Sequence, residues 1–245
     1  MVRPRSHDFL PRLYEAALRV FARHGLKHSR MSDIARAMGV SHGSLYNYVE
    51  TKEALFFWLV DCGLEPPGTM APGALPIRAK STKQLLSRLR EQIGATFALP
   101  HLEAALLRPH ADVRGEVSAI VLELYDRTLA SRLQAAALER SAVDIPELFT
   151  LFYLGVRRRL FEQLTRYIVT RINSGHFAAV EDPVVAARFV LETITFFARH
   201  RFNDRDFLPD EETVVRRTVA GLLVRSLLNG AEFQRNERRP AARRR

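Results

Sequence analysis

The stretch that most constrains this chain is residues 29–56, which read as helix, tight turn, short helix, turn and helix. Met31, Ile34, Ala35 and Met38 recur at helical spacing. Ser29 stands where a hydroxyl oxygen caps a first turn. Gly39 supplies the left-handed residue that ends a helix without a Cβ clash. Val40 is a small apolar plug, and Ser41 caps the next helix, expected from His42 to about Tyr48. Its inward residues are Leu45 and Val49, which leaves His42, Gly43, Ser44, Tyr46, Asn47 and Tyr48 outward. Thr51 caps a third helix that opens with Lys52.

Two short helices joined by a glycine-containing turn form a helix-turn-helix, whose second helix enters the major groove of DNA. Ser, Asn, His and Tyr hydrogen-bond base edges or phosphate oxygens, and a lysine neutralises a phosphate. A plain helical hairpin, with Tyr46 and Tyr48 as packing residues, has the same spacing. Spacing alone leaves both readings open.

Phe21 and Gly25 at the end of the first helix, Asp33-Ile34-Ala35, Gly39-Val40-Ser41, Leu45-Tyr46, Tyr48 and Lys52 stand in one register. In that register residues 9–56 resemble the DNA-binding domain of the TetR family of transcriptional regulators. Two positions depart from the family pattern: Val49 replaces a usual phenylalanine, and Arg30 replaces a common small hydroxyl residue. The resemblance implies that His42, Gly43 and Asn47 meet bases. It implies that Ser44, Tyr46, Tyr48 and Lys52 meet phosphates, and Arg30 is a further phosphate candidate.

The net charge of +10 is concentrated at the ends. Residues 1–50 carry eight Lys/Arg against four Asp/Glu, and residues 235–245 carry six Arg against one Glu. Basic ends on a nearly neutral body suit a polyanion partner, although terminal charge runs are often only solvated tails. No apolar run approaches the ~20 residues of a membrane span, and no apolar segment follows the N-terminal charges. No membrane partner and a cytoplasmic location are therefore expected. The single Cys62 excludes an intrachain disulfide and a Cys-cluster zinc site.

The remaining pattern predicts an all-α fold. An amphipathic helix over residues 9–24 buries Leu10, Leu13, Ala17, Val20 and Phe21 against the helix-turn-helix. Prolines at 66, 67, 72 and 76, with glycines at 63, 68 and 73, mark the clearest break. Helices are then expected from about Thr82 to Ala98, briefly to Leu107, and from about Val117 to Arg140. A capping box of Asp144 and Glu147 opens a long helix that stops at Ser174-Gly175. Asp182-Pro183 opens the next, and Pro209 to Thr213 the last. The expected organisation is a helix-turn-helix DNA-binding domain (1–62), a larger helical regulatory and dimerisation domain (63–234) and a disordered basic tail (235–245).

The last two helices carry more apolar surface than one inward stripe needs. Leu191, Ile194, Phe196 and Phe197 on one, and Val215, Val219, Leu222, Leu223 and Leu227 on the other, are read as a homodimer seam, with deeper burial inside one subunit as the alternative. Tyr125, Phe149, Phe152, Tyr153 and Tyr167 form either a packed core or the lining of a ligand pocket.

No catalytic constellation is visible: neither a Gly-rich phosphate loop, nor a Gly-x-Ser-x-Gly elbow, nor a His-Glu-x-x-His pair. His101, Glu103 and His110 match no metal spacing. No enzyme activity, metal or cofactor is expected. The resulting expectation is a homodimeric regulator on a palindromic double-stranded DNA operator, acting as a repressor released by an unknown small-molecule effector. A non-specific architectural DNA-binding protein is the alternative.

Overall fold

Helix-forming residues with apolar positions three and four apart dominate the chain, and helices are what they form. The computed structural model describes residues 8–62, 75–78, 84, 86–88, 90–91, 98–107, 112–204, 206 and 211–230. Among the described residues extended pairing is limited to two isolated bridges, Val49 with Ile77 and Phe177 with Leu228. The fold is all-α, with an N-terminal helix-turn-helix followed by further helices.

The helices are α1 (Phe9–His28), α2 (Met31–Met38), α3 (His42–Tyr46), α4 (Lys52–Cys62), α5 (Pro100–Leu107), α6 (Val113–Ala130), α7 (Arg132–Ala142) and α8 (Pro146–Phe149). A π-helical stretch (Thr150–Arg157) leads into α9 (Arg158–Asn173), followed by α10 (Pro183–Ala198) and α11 (Glu212–Leu227). Residues 84, 86–88 and 90–91 are helical, within the helix expected over 82–98; Ala98 is not helical, and the rest of that span lies outside the described residues.

The described residues pack as two units, one within 1–98 and 130–157, the other within 99–129 and 158–245. In the first, α1 lies against α2, α4 and α7. Its core holds Leu13, Phe21, Ile34, Leu45, Leu55 and Phe56, and the rings of Phe21 and Phe56 meet edge-on at 5.3 Å. Residues 130–157, which the sequence-based division placed with the second domain, share this core. In the second unit Ile120, Tyr125, Tyr167, Ala187 and Ile194 centre a core built from α5, α6, α9, α10 and α11. The expected tail, 235–245, lies outside the described residues.

Several local expectations hold. Gly39 is left-handed (φ 66°), and its N–H and that of Val40 close the end of α2 on Arg36 and Ala35. Thr51 Oγ1 accepts from Ala54 N–H, and Asp182 caps α10 through Val184 N–H at 2.7 Å. Others differ for identifiable reasons. Ser29 does not cap α2; its hydroxyl donates to the Gly25 carbonyl at 2.6 Å, closing the end of α1. Asp144 builds no capping box, because its carboxylate faces Lys27 and His28 at 3.1 and 3.3 Å. The helix expected over 117–140 is broken at buried Ser131 into α6 and α7. The long helix after Pro146 changes to wider π turns over Thr150–Arg157, which apolar spacing does not distinguish from α turns.

Candidate nucleic-acid interface

The five-residue α3 is too short to be stable alone, so its neighbours hold it. Ser41 Oγ accepts from Ser44 N–H at 3.3 Å and lies 2.6 Å from Ser44 Oγ. Leu45 and Val49 are fully buried in the N-terminal core. A buried leucine contributes about 2 kcal/mol, which fixes the roll of the helix. His42, Gly43, Tyr46 and Asn47 are consequently exposed and Ser44 is half-buried. The His42 and Tyr46 rings, one turn apart, meet edge-on at 5.1 Å. Arg30 is exposed and extended just before α2.

Three contacts from α1 set the angle of this face. The Arg12 guanidinium donates to the Met38 carbonyl at the end of α2, at 2.8 Å. The Phe9 ring stacks on half-buried Tyr48 at 3.8 Å and 18°. Lys52 Nζ donates to the carbonyls of Lys27 (2.8 Å) and Ser29 (3.2 Å). Lys52 is thus first a clamp between α1 and α4, and its Nζ also lies 4.0 Å from Glu53 Oε1. Arg12 and Phe9 are not among the sequence-predicted site residues. No local spacing signals them, because each acts on a partner far along the chain.

A fourth set of contacts joins the end of α1 to the end of α7. Gly25 breaks α1 with φ 70°, and a Cβ there would sit 2.9 Å from the Arg140 carbonyl oxygen. Leu26 N–H donates to buried Ser141 Oγ at 3.0 Å, and Ser141 donates on to Ala137.

The five aromatic pocket candidates divide between the two cores. In the second unit Tyr125 and Tyr167 are buried, and their hydroxyls donate to Glu212 Oε1 (2.6 Å) and Glu116 Oε1 (2.8 Å). Burial, reinforced by those carboxylates, pushes both phenols well above the ordinary tyrosine range. In the first unit Phe152 is buried, Tyr153 is half-buried and Phe149 is exposed, with Phe149 and Phe152 each about 5 Å from Tyr153. His101 Nδ1 faces Glu123 at 3.2 Å, and His110 lies outside the described residues.

The seam candidates divide between inward and outward positions. Ile194 is 0% exposed, and Leu191, Val215, Val219 and Leu223 are also buried in the second unit's own core. Phe197 is half-buried, edge-on to Phe196. Apolar periodicity marks the most buried stripe first, and here that stripe faces inward. The outward apolar residues are Val184, Val185, Phe189 and Phe196 on α10, and Val214 and Leu222 on α11.

Comparison with known proteins agrees with this geometry. Residues 13–58 match the family described as bacterial regulatory proteins, tetR family. Over 126 residues the chain is 32% identical to the HTH-type transcriptional regulator BetI of Agrobacterium fabrum; the match spans 51% of this chain and 61% of that protein. The ketosteroid transcriptional regulator KstR2 of Mycobacterium tuberculosis shares the fold at 16% identity, with a TM-score of 0.56 over 94% of this chain and 97% of that one. PfmR of Thermus thermophilus, a TetR-family transcriptional regulator, does so at 20% identity and a TM-score of 0.51 over 89% and 97%. The helix-turn-helix segment is thus similar to the tetR family of bacterial regulatory proteins, and the helical fold behind it is shared with these solved structures.

Proposed function

We propose that this chain is a homodimeric repressor that binds a palindromic double-stranded DNA operator and is released by a small-molecule effector. The observation that carries the reading is the outward face of α3. Leu45 is fully buried while His42, Gly43, Tyr46 and Asn47 are exposed together, which suits a helix offering polar groups to base edges. In this reading His42, Gly43 and Asn47 read bases. Arg30, Ser44, Tyr46, Tyr48 and Lys52 meet phosphates.

Two copies are needed to place two such helices about 34 Å apart, in successive major grooves. Val185, Phe189 and Phe196 lie four and seven residues apart on one side of α10, and Val214 and Leu222 eight apart on α11. This exposed apolar face is the one we assign to self-association.

Release follows if an effector binds one conformational state better than another. The contacts of Arg140, Ser141 and Asp144 with the end of α1 give such a change a route to α1, which holds the angle of α3. Functionally this keeps the division at residue 62, with 63–234 regulatory and 235–245 a basic tail. No catalytic residue or cofactor enters the scheme, and the setting is the cytoplasm.

The test is a footprint on the DNA upstream of the chain's own gene, with and without Asn47→Ala. A protected palindrome that vanishes in Asn47→Ala while the melting point is kept supports the reading. Equal protection of unrelated DNA would refute it in favour of non-specific binding.

A further inference from the structure

Between α3 and α4 the backbone of Tyr48, Val49 and Glu50 leaves the helix, and its polar groups need partners. Residue 77 provides them. Ile77 N–H donates to the Tyr48 carbonyl at 2.8 Å, and Glu50 N–H donates to the Ile77 carbonyl at 3.0 Å. Together they form the parallel bridge of Val49 with Ile77. The chain therefore returns, after α4, to the connection that follows the recognition helix.

The bridge fixes which neighbour faces out. Side chains of an extended segment alternate between two faces. Ile77 is half-buried against the N-terminal core. Arg78 falls on the opposite face and is exposed. Parallel register carries Arg78 alongside Glu50 and toward the start of α4. That helix opens with Thr51 and Lys52, and a helix N-terminus favours an anion. Among the described residues Arg78 makes no ion pair. The segment Arg78-Ala79-Lys80-Ser81-Thr82-Lys83 holds three cations and no carboxylate.

We propose that Arg78 is a DNA-backbone contact, a phosphodiester-binding residue that extends the footprint of α3 onto the flanking phosphates. This rests on the DNA-binding reading above. Its role is to raise affinity for any sequence, since a phosphate contact positions without specifying.

The test uses the full chain, Arg78→Ala and Arg78→Lys. Binding is followed by fluorescence anisotropy on a labelled random-sequence duplex about three helical turns long and on the chain's own upstream fragment. Arg78→Ala should flatten the slope of log affinity against log salt by about 0.9 per bound chain. Between about 50 and 200 mM salt the unmodified chain then loses about 3.5-fold more affinity per chain than the variant does. Arg78→Lys should keep the original slope, and neither variant should change which duplex is preferred. Arg78→Ala with an unaltered slope overturns the proposal, whatever its affinity. So does Arg78→Lys behaving like Arg78→Ala, because charge would then not be what matters. An unmodified chain that binds neither duplex overturns the DNA-binding reading itself, which is a separate failure.

Discussion

Arg171→Met is the substitution whose consequence the structure defines best. Arg171 and Glu116 are each 5% exposed in their side chains. Arg171 Nε donates to Glu116 Oε1 at 2.8 Å and Nη2 to Oε2 at 2.9 Å, a two-pronged pair. Nη2 also reaches the Ala105 carbonyl on α5 at 3.1 Å, and the Tyr167 hydroxyl donates to Glu116 Oε1. One cluster thus ties α5, α6 and α9 together inside the second core. Methionine fills much of the same volume and donates nothing. It leaves the Glu116 carboxylate buried with the Tyr167 hydroxyl as its remaining donor among the described residues. Removing one partner of a buried pair costs about 3–5 kcal/mol. At about 2–4 °C per kcal/mol for a chain of this size, the melting point should fall by roughly 10 °C. Far-ultraviolet circular dichroism during heating reads this directly. The double variant Glu116→Leu/Arg171→Met removes both charges and should recover most of the loss, because the pair's attraction is largely offset by its desolvation. A single variant melting within about 2 °C of the unmodified chain, or a double variant worse than the single, would refute the argument.

Gly25→Ala should cost about 2 kcal/mol or more in chemical denaturation, because φ is +70° and the new Cβ meets the Arg140 carbonyl at 2.9 Å. Gly43→Ala meets nothing within 4 Å and should leave stability intact while weakening operator binding; equal destabilisation by both would show that the Gly25 contact is unimportant. Lys52→Ala should lower stability by about 1 kcal/mol through its two carbonyl contacts. It should also flatten the salt slope by about one unit per chain, and an unchanged slope would remove Lys52 from the interface. Burial, with help from Asp61, pushes the Cys62 thiol up to about 12. Alkylation by iodoacetamide at neutral pH should therefore be far slower in the folded chain than in denaturant, and equal rates would contradict that burial.

What the sequence reveals here is what short-range chemistry decides. The turn at Gly39, the Ser41 and Asp182 caps and the inward placement of Leu45 each depend on residues within a turn or two. All four are legible. The failures share the opposite property. Ser29 and Asp144 have the right chemistry for caps, but groups outside their expected helices claim them: Gly25 for Ser29, and Lys27 with His28 for Asp144. A hydroxyl or carboxylate goes to its best donor or acceptor in the folded chain, and spacing carries no information about that competitor. The seam candidates divide for a related reason. Periodicity separates an apolar face from a polar one, but it does not say which of two apolar faces meets the chain's own core. Ile194 went inward and Phe189 outward, although both are apolar residues of α10.

The same distinction governs the face proposed to read DNA. Its chemistry is local: His42, Gly43, Tyr46 and Asn47 fall within a single short helix and its cap. Its orientation is not. The angle of α3 depends on Arg12 reaching Met38, on Phe9 stacking against Tyr48, and on Ile77 pairing with Tyr48 and Glu50. A five-residue helix has too few internal hydrogen bonds to hold its own direction, so these distant residues set where its polar groups point. Substituting Phe9 or Arg12 would leave every exposed group of α3 chemically intact, yet it would still move that face. Loss of operator binding in such variants is therefore a statement about aim, whereas loss in Asn47→Ala is a statement about readout.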